Sequence, residues 1–230
     1  DMLELNVIDY KSISCVCKSW NKIAKYYFSY FREIQYYFSD HIFTTKEINI
    51  LYNNRHHIKG HSKWMLQLIL SIAWDDDASI SRRHDVLELL QTGKSDVSCW
   101  QMMCTRSCCG IIQAEDIIII LSKKYTYSPL IKFLIKELYN ITDVELSCYM
   151  GYIVNLLTFY KNFSLISSEI ENFLLSKTTG NIPLSNQLFW TITQCLANPD
   201  SYNYFSNLRI KLVKILSKDT YKLFQNGYDF

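Results

Sequence analysis

Along most of this 230-residue chain the apolar positions return every three or four residues, the period of a helix that buries one face. Met65, Leu66, Ile69, Ile72 and Ala73 form one stripe; Leu130, Phe133, Leu134 and Leu138 form another. Tyr149, Ile153, Val154, Leu157 and Tyr160 form a third, and Phe173 and Leu174, then Leu188, Phe189 and Ile192, then Leu208, Leu212 and Ile215 continue the pattern. No segment alternates strictly, as a half-buried strand would. The β-branched run 117–121 suits a buried helix better than a strand, because Ala114-Glu115-Asp116 precedes it and Ser122-Lys123-Lys124 follows. Capping boxes mark helix starts at Thr44-x-x-Glu47, Thr142-x-x-Glu145 and Ser168-x-x-Glu171. Ser128-Pro129 reads as a cap residue before a proline at the first helical position. Asp75-Asp76-Asp77 and Asn198-Pro199-Asp200 read as breaks.

Helices of about 10–15 residues thus follow one another with short connections, and none buries its stripe alone. The pattern predicts an all-α fold, an irregular α-solenoid of antiparallel helix pairs with no exact repeat. Its core should include Trp74, Phe133, Leu157, Phe173, Phe189 and Trp190, so that Trp190→Ala would cost about 3–5 kcal/mol.

Composition narrows the class. Lys and Arg number 24 and Asp and Glu 22, a net charge of +2. That balance excludes a strongly basic nucleic-acid binder and an acidic tail protein. A hydrophobic fraction of 49% with 15% aromatics supports a sizeable core, and six glycines and three prolines are too few for a turn-rich all-β chain. No apolar run approaches the roughly 20 residues of a membrane span. Eight cysteines without an apolar leader lead us to expect reduced thiols and a cytoplasmic location, with Cys104 and Cys108 as buried helical neighbours. The opening Asp1-Met2 is unusual for a natural start, so the chain is expected to be part of something longer.

Candidate chemistry is thin. Gly93-Lys94-Ser95 resembles the tail of a phosphate-binding loop, but Glu88 stands where the first glycine must be. The glycine-rich loop, H-R-D and D-F-G of kinases and the G-x-S-x-G elbow of hydrolases are missing from the sequence. His57 and His61 are spaced like zinc ligands on a helix, and His56 adjoins them, yet no third and fourth ligand lie near. Cys15-x-Cys17 has the wrong spacing for a zinc knuckle; Cys108-Cys109 reads as buried neighbours before it reads as a redox pair. Aromatics interleave with bases in "KSWNKIAKYYFSYFREIQYYF", a pattern that stacks on nucleic-acid bases in a basic protein. With a balanced charge it reads instead as an amphipathic helix for a partner protein or a buried connector. The expectation is no enzyme, no cofactor, no bound metal and no nucleic-acid partner.

Two resemblances add to this. "TTKEINILYNNRHHI", with Arg55-His56, "MLQLILSIAW", ending Ser71-Ile72-Ala73-Trp74, "AEDIIIILSKKYTYSPLIKFLIKELYNITDVELSCYMGYIVNLL", and "IENFLLSKTTGNIPLSNQLFWTI", with Phe189-Trp190, occur in order. Over 44–216 they resemble the helical accessory domain of phosphoinositide 3-kinases. The chain departs from that family at about 92–110, which reads as altered connection, and at Ser185-Asn186, where the family has Gly-His. The resemblance implies a scaffold of stacked helical pairs that binds rather than catalyses.

The second resemblance lies in "LELNVIDYKSISCVCKSWNKIA", which is similar to the later part of an F-box through Ile13, Ser14, Val16, Cys17, Lys18, Trp20, Asn21 and Ile23. Its alternative is a plain amphipathic helix, since Ile13, Val16, Trp20 and Ile23 have core spacing anyway. The F-box resemblance implies docking on the Skp-type adaptor of a cullin-RING ubiquitin ligase through Leu3, Leu5, Ile13, Val16, Cys17 and Trp20. The organisation expected is an F-box-like segment over 1–31, a connecting helix over 32–43 and the accessory domain over 44–230. Function is then expected to be that of an adaptor whose helical domain binds a target protein, an effector of a pathogen acting in the host cytosol. The competing expectation is the scaffold portion of a phosphoinositide lipid kinase.

Overall fold

The computed structural model describes residues 40–56, 62–92, 112–216 and 218–225. Every regular element among them is helical. They fall into two compact units, one ending at Ile120 and one beginning at Leu121.

In the first unit the expected capping box at Thr44 forms. Thr44 Oγ1 accepts from the Glu47 amide while the Glu47 carboxylate accepts from the Thr44 amide at 2.7 Å. Helix α1 (Thr45–Asn53) therefore begins at residue 45, and residues 40–43 before it are not helical. It packs on α2 (Ser62–Ser71). The acidic break then works through a corner. Trp74 is fully buried and donates its indole N–H to Ile69 O at 2.8 Å, and the buried Arg83 donates to Trp74 O at 2.7 Å. Asp76 caps a single 3-10 turn, Asp77–Ser79, that leads into α3 (Ile80–Thr92). Across α1 and α3, the Tyr52 hydroxyl donates to Asp85, and Arg55 lies 4.3 Å from the Tyr52 ring centre while donating to Asp85 at 3.1 Å. Arg55 of the Arg-His pair is thus a helix-locking residue, and His56 is exposed. The run 117–121 lies in α4 (Ala114–Ser122), with Ile117, Ile118, Ile120 and Leu121 buried, as its flanks predict.

The second unit is a succession of α5 (Ser128–Leu138), α6 (Asp143–Tyr160), α7 (Ser164–Thr178), α8 (Ile182–Cys195), α9 (Tyr202–Ile215) and α10 (Lys218–Gln225). Links of three or four residues join α5 through α8. Short links make antiparallel neighbours. Helices α6 and α7, α7 and α8, and α8 and α9 touch in sequence, while α5 meets α7, α6 meets α8 and α8 meets α10. Alternate helices thus share a layer, the stacked pairing that the pattern predicts. Thr142 caps α6 with its box, and Gly180 at φ +80 makes the turn out of α7 that a side chain would strain. The next residue, Asn181, caps α8 and donates its amide to Asp143 at the start of α6 at 2.8 Å.

Four expectations need correction. Ser168-x-x-Glu171 is not a capping box: α7 starts at Ser164, and Ser168 donates back to Leu165 O. Glu171 instead lies buried at the α7–α9 contact, where it accepts from the Tyr204 hydroxyl and from Lys211 Nζ. Ser128 is the first helical residue rather than the cap, and Tyr127 holds the cap position without a side-chain capping bond. Proline is accepted there because first-turn amides lack helical partners. Trp190 is 42% exposed, with its ring edge-on to Phe189 at 5.5 Å. Adjacent helical residues point about 100° apart, so Phe189 takes the core and Trp190 stands at its edge. Ala73 and Ile215, assigned to stripes, are also exposed, because each lies at or beyond the end of its helix's buried face. Trp74, Phe133, Leu157, Phe173 and Phe189 are buried as expected.

Ser185, where the family has glycine, is buried and donates to Thr178 O and Asn181 O at 2.7 and 2.8 Å. The hydroxyl is satisfied by the turn it packs against.

Two outcomes follow. Trp74→Ala should cost about 3–5 kcal/mol by urea denaturation, and Trp190→Ala only about 1 kcal/mol, because only the first leaves a cavity and breaks a buried bond. Glu171→Ala should cost about 1.5–3 kcal/mol, the range for hydrogen bonds to a charged group.

Tyr204 gives the pH signature of the same contact. Burial pushes its phenol well above the ordinary value near 10, and the bond to Glu171 pushes the same way. A raised folded pKa gives stability that is complete below the unfolded value and falls as pH climbs toward the folded one. Unfolding free energy should therefore drop above about pH 10, and Tyr204→Phe should flatten that drop.

Candidate functional site

Helix α6 is apolar on two faces. One is the core stripe: Leu146, Met150, Ile153, Val154, Leu157 and Tyr160 are buried. The other carries Tyr152, Leu156 and Phe159 with the exposed Asn155 among them, spaced i, i+3, i+4 and i+7, so these four lie one above another. With Thr158, Ser122 and Lys124 they line an open groove of about 420 Å³. Leu156 is buried at its floor, whereas Tyr152 is 55% exposed. A surface helix normally shows one apolar stripe; here a second, aromatic one lies along an open groove.

The rest of the lining comes from Ser122, the last residue of α4, and from Lys124 in the turn after it. Tyr160, at the end of α6, donates its hydroxyl to Tyr125 O at 2.8 Å and fixes this turn. Lys124 closes the preceding helix, its amide donating to Leu121 O at 3.0 Å. It does so at φ 59, the left-handed conformation that glycine usually supplies at a helix C-terminus. An L-residue there costs roughly 1–2 kcal/mol. The side chain that this position carries lies with its Nζ 5.3 Å from the Phe159 ring centre. A cation over an aromatic face is held electrostatically by about 0.5–1 kcal/mol.

Polar groups on α6 and α8 set the register of the groove wall. Ser147 donates to Gln187 Oε1 at 2.8 Å, and Gln187 returns a bond to Ser147 O at 2.7 Å. Two turns on, the Cys195 thiol lies 3.9 Å from Asn155 Oδ1. Burial pushes the Cys195 pKa up, so the thiol stays protonated and donates to the Asn155 carbonyl. The Asn155 Nδ2 makes no hydrogen bond among the described residues. The groove therefore combines an apolar floor, aromatic walls, one cation and an amide donor, and no carboxylate is in its lining.

Among the described residues no three His, Cys, Asp or Glu side chains group as for a metal ion, and no helix is long and apolar enough to cross a membrane. Cys148 is exposed and Cys195 half-buried, both as free thiols. The adaptor-docking residues Leu3, Leu5, Ile13, Val16, Cys17 and Trp20 lie outside the described residues. So do His57, His61, Gly93-Lys94-Ser95 and the cysteines at 15, 99, 104, 108 and 109.

Sequence reasoning did not find the groove. The stripe Tyr149, Ile153, Val154, Leu157 and Tyr160 accounts for the core face of α6, and Tyr149 proves half-buried. The second stripe was visible in "YMGYIVNLLTFY", but only the fold shows which one stays uncovered. Nothing in the sequence marks Lys124 as left-handed.

No curated protein matches the chain at a significant level. The family profile described as "Phosphoinositide 3-kinase family, accessory domain (PIK domain)" matches residues 39–225. That span includes every described helix and most of the chain, and we conclude that this protein belongs to the phosphoinositide 3-kinase accessory-domain (PIK) family.

Proposed function

We propose that this chain is a non-catalytic adaptor, its helical accessory domain holding a target protein. The observation that carries this reading is the second apolar face of α6, an open groove with aromatic walls and an amide and a cation at its edge. Aromatic and aliphatic residues in a shallow cleft are the usual anchors of protein recognition. The F-box-like pattern through Ile13, Val16, Cys17 and Trp20 supports the further step. In it, the N-terminal segment docks on the Skp-type subunit of a cullin-RING ubiquitin ligase. A ligase-docking motif joined to an accessory domain of this family fits a pathogen effector working in a host cytosol.

The second reading is a scaffold portion of a phosphoinositide lipid kinase. The profile match over 39–225 favours it equally, since that domain accompanies such kinases. The two readings separate by chemistry: under the adaptor reading the purified full-length protein turns over no ATP and holds no stoichiometric zinc.

The direct test is binding of the purified protein to a Skp-type adaptor. Trp20→Ala should weaken that complex by about 2 kcal/mol or more, the scale of a buried aromatic hot spot, and leave the melting of the helical domain unchanged. A wild type that captures no adaptor, with Trp20→Ala unfolding the whole chain, would assign the segment to the helical domain as its first helix.

A further inference from the structure

We propose that the α6 groove takes a peptide segment of the target protein that sets one apolar side chain on Leu156, between Tyr152 and Phe159, and one Asp or Glu carboxylate on Lys124 Nζ. This rests on the protein-binding reading above and names the chemistry of the partner.

Charge complementarity carries the choice of occupant. The lining holds one cation and no carboxylate, and Asn155, whose Oδ1 faces the Cys195 thiol, lines the same groove. An incoming base would meet the like charge of Lys124 with no carboxylate in the lining to offset it; an incoming carboxylate meets a full opposite charge. Lys124 already rests over Phe159, so the carboxylate and the ring would flank the same ammonium. Close ion pairs at the edge of a largely apolar contact contribute orientation more than raw affinity. The apolar anchor supplies the affinity, against a floor that is buried and a tyrosine that is not.

The backbone at Lys124 argues the same way. Glycine would end α4 with less strain at φ 59. A lysine there sacrifices stability and keeps a side chain on the groove. Removing that side chain should then separate the two effects: Lys124→Gly relaxes the turn and loses the ligand.

The test uses the full chain and two sets of fluorescein-labelled peptides of about 12 residues, read by anisotropy. One set pairs a Leu, Phe or Trp with Asp or Glu at spacings of one to four; the other replaces each acid by Lys. At least one acidic peptide should bind about tenfold more tightly than its Lys counterpart. Lys124→Glu should erase that difference, Tyr152→Ala should weaken both sets, and Lys124→Gly should lose the acidic preference while its Tm holds or rises by about 2–4 °C.

Equal binding of the two sets, or an acidic preference that survives Lys124→Glu, overturns the proposal. So does a groove filled by a second copy, seen as dimers in sedimentation that Tyr152→Ala dissociates. Should target capture from host lysate survive Lys124→Glu undiminished, the groove chemistry is wrong and the adaptor reading stands. Loss of capture in Lys124→Glu, with unchanged melting, supports both.

Discussion

One bond fixes the groove: the Tyr160 hydroxyl on Tyr125 O. It ties the C-terminal end of α6 to the turn after α4, and that turn holds Lys124. A buried tyrosine hydroxyl needs a partner, and here the partner is the backbone carbonyl of Tyr125 in that turn. Core packing and site geometry therefore meet in one residue. Its ring belongs to the buried stripe and its oxygen holds the turn that follows α4.

Around this centre, apolar contact supplies most of the stability and polar pairs supply the register. Helix stripes slide on one another at little cost, because hydrophobic attraction is not directional. The directional contacts fall at helix junctions: Ser147 with Gln187, Asn181 with Asp143, Lys177 with Ile141 O and Glu171 with Tyr204 and Lys211. Each joins helices that are neighbours in the stack, and together they hold α6 through α9 at fixed heights. In the first unit the Tyr52, Arg55 and Asp85 cluster does the same for α1 and α3.

The sequence carried the fold well and the groove poorly, for a physical reason. Periodicity reports that a helix has an apolar face, and the Thr44 and Thr142 caps and the acidic break before α3 are local chemistry, so all were legible. Ser168-x-x-Glu171 failed because the same spacing that closes a capping box also occurs inside a helix, where Glu171 found partners on α9 instead. Trp190 departs from the expected core because adjacent helical residues cannot both face inward, and its neighbour Phe189 occupies the inward direction. The groove failed because its parts come from residue 122 to residue 159 and from a backbone conformation that lysine rarely adopts. A one-dimensional pattern does not show which of two stripes on α6 a neighbour covers.

The central claim is that Lys124 pairs with a carboxylate in the α6 groove, and a charge swap tests it most directly. The affinity of Lys124→Glu for the Lys version of the best acidic peptide is measured by anisotropy titration. The account predicts that this doubly reversed pair regains most of the affinity of the native pair, as an ion pair restored in the opposite sense. Affinity no better than that of either single reversal would contradict it and remove Lys124 from the site.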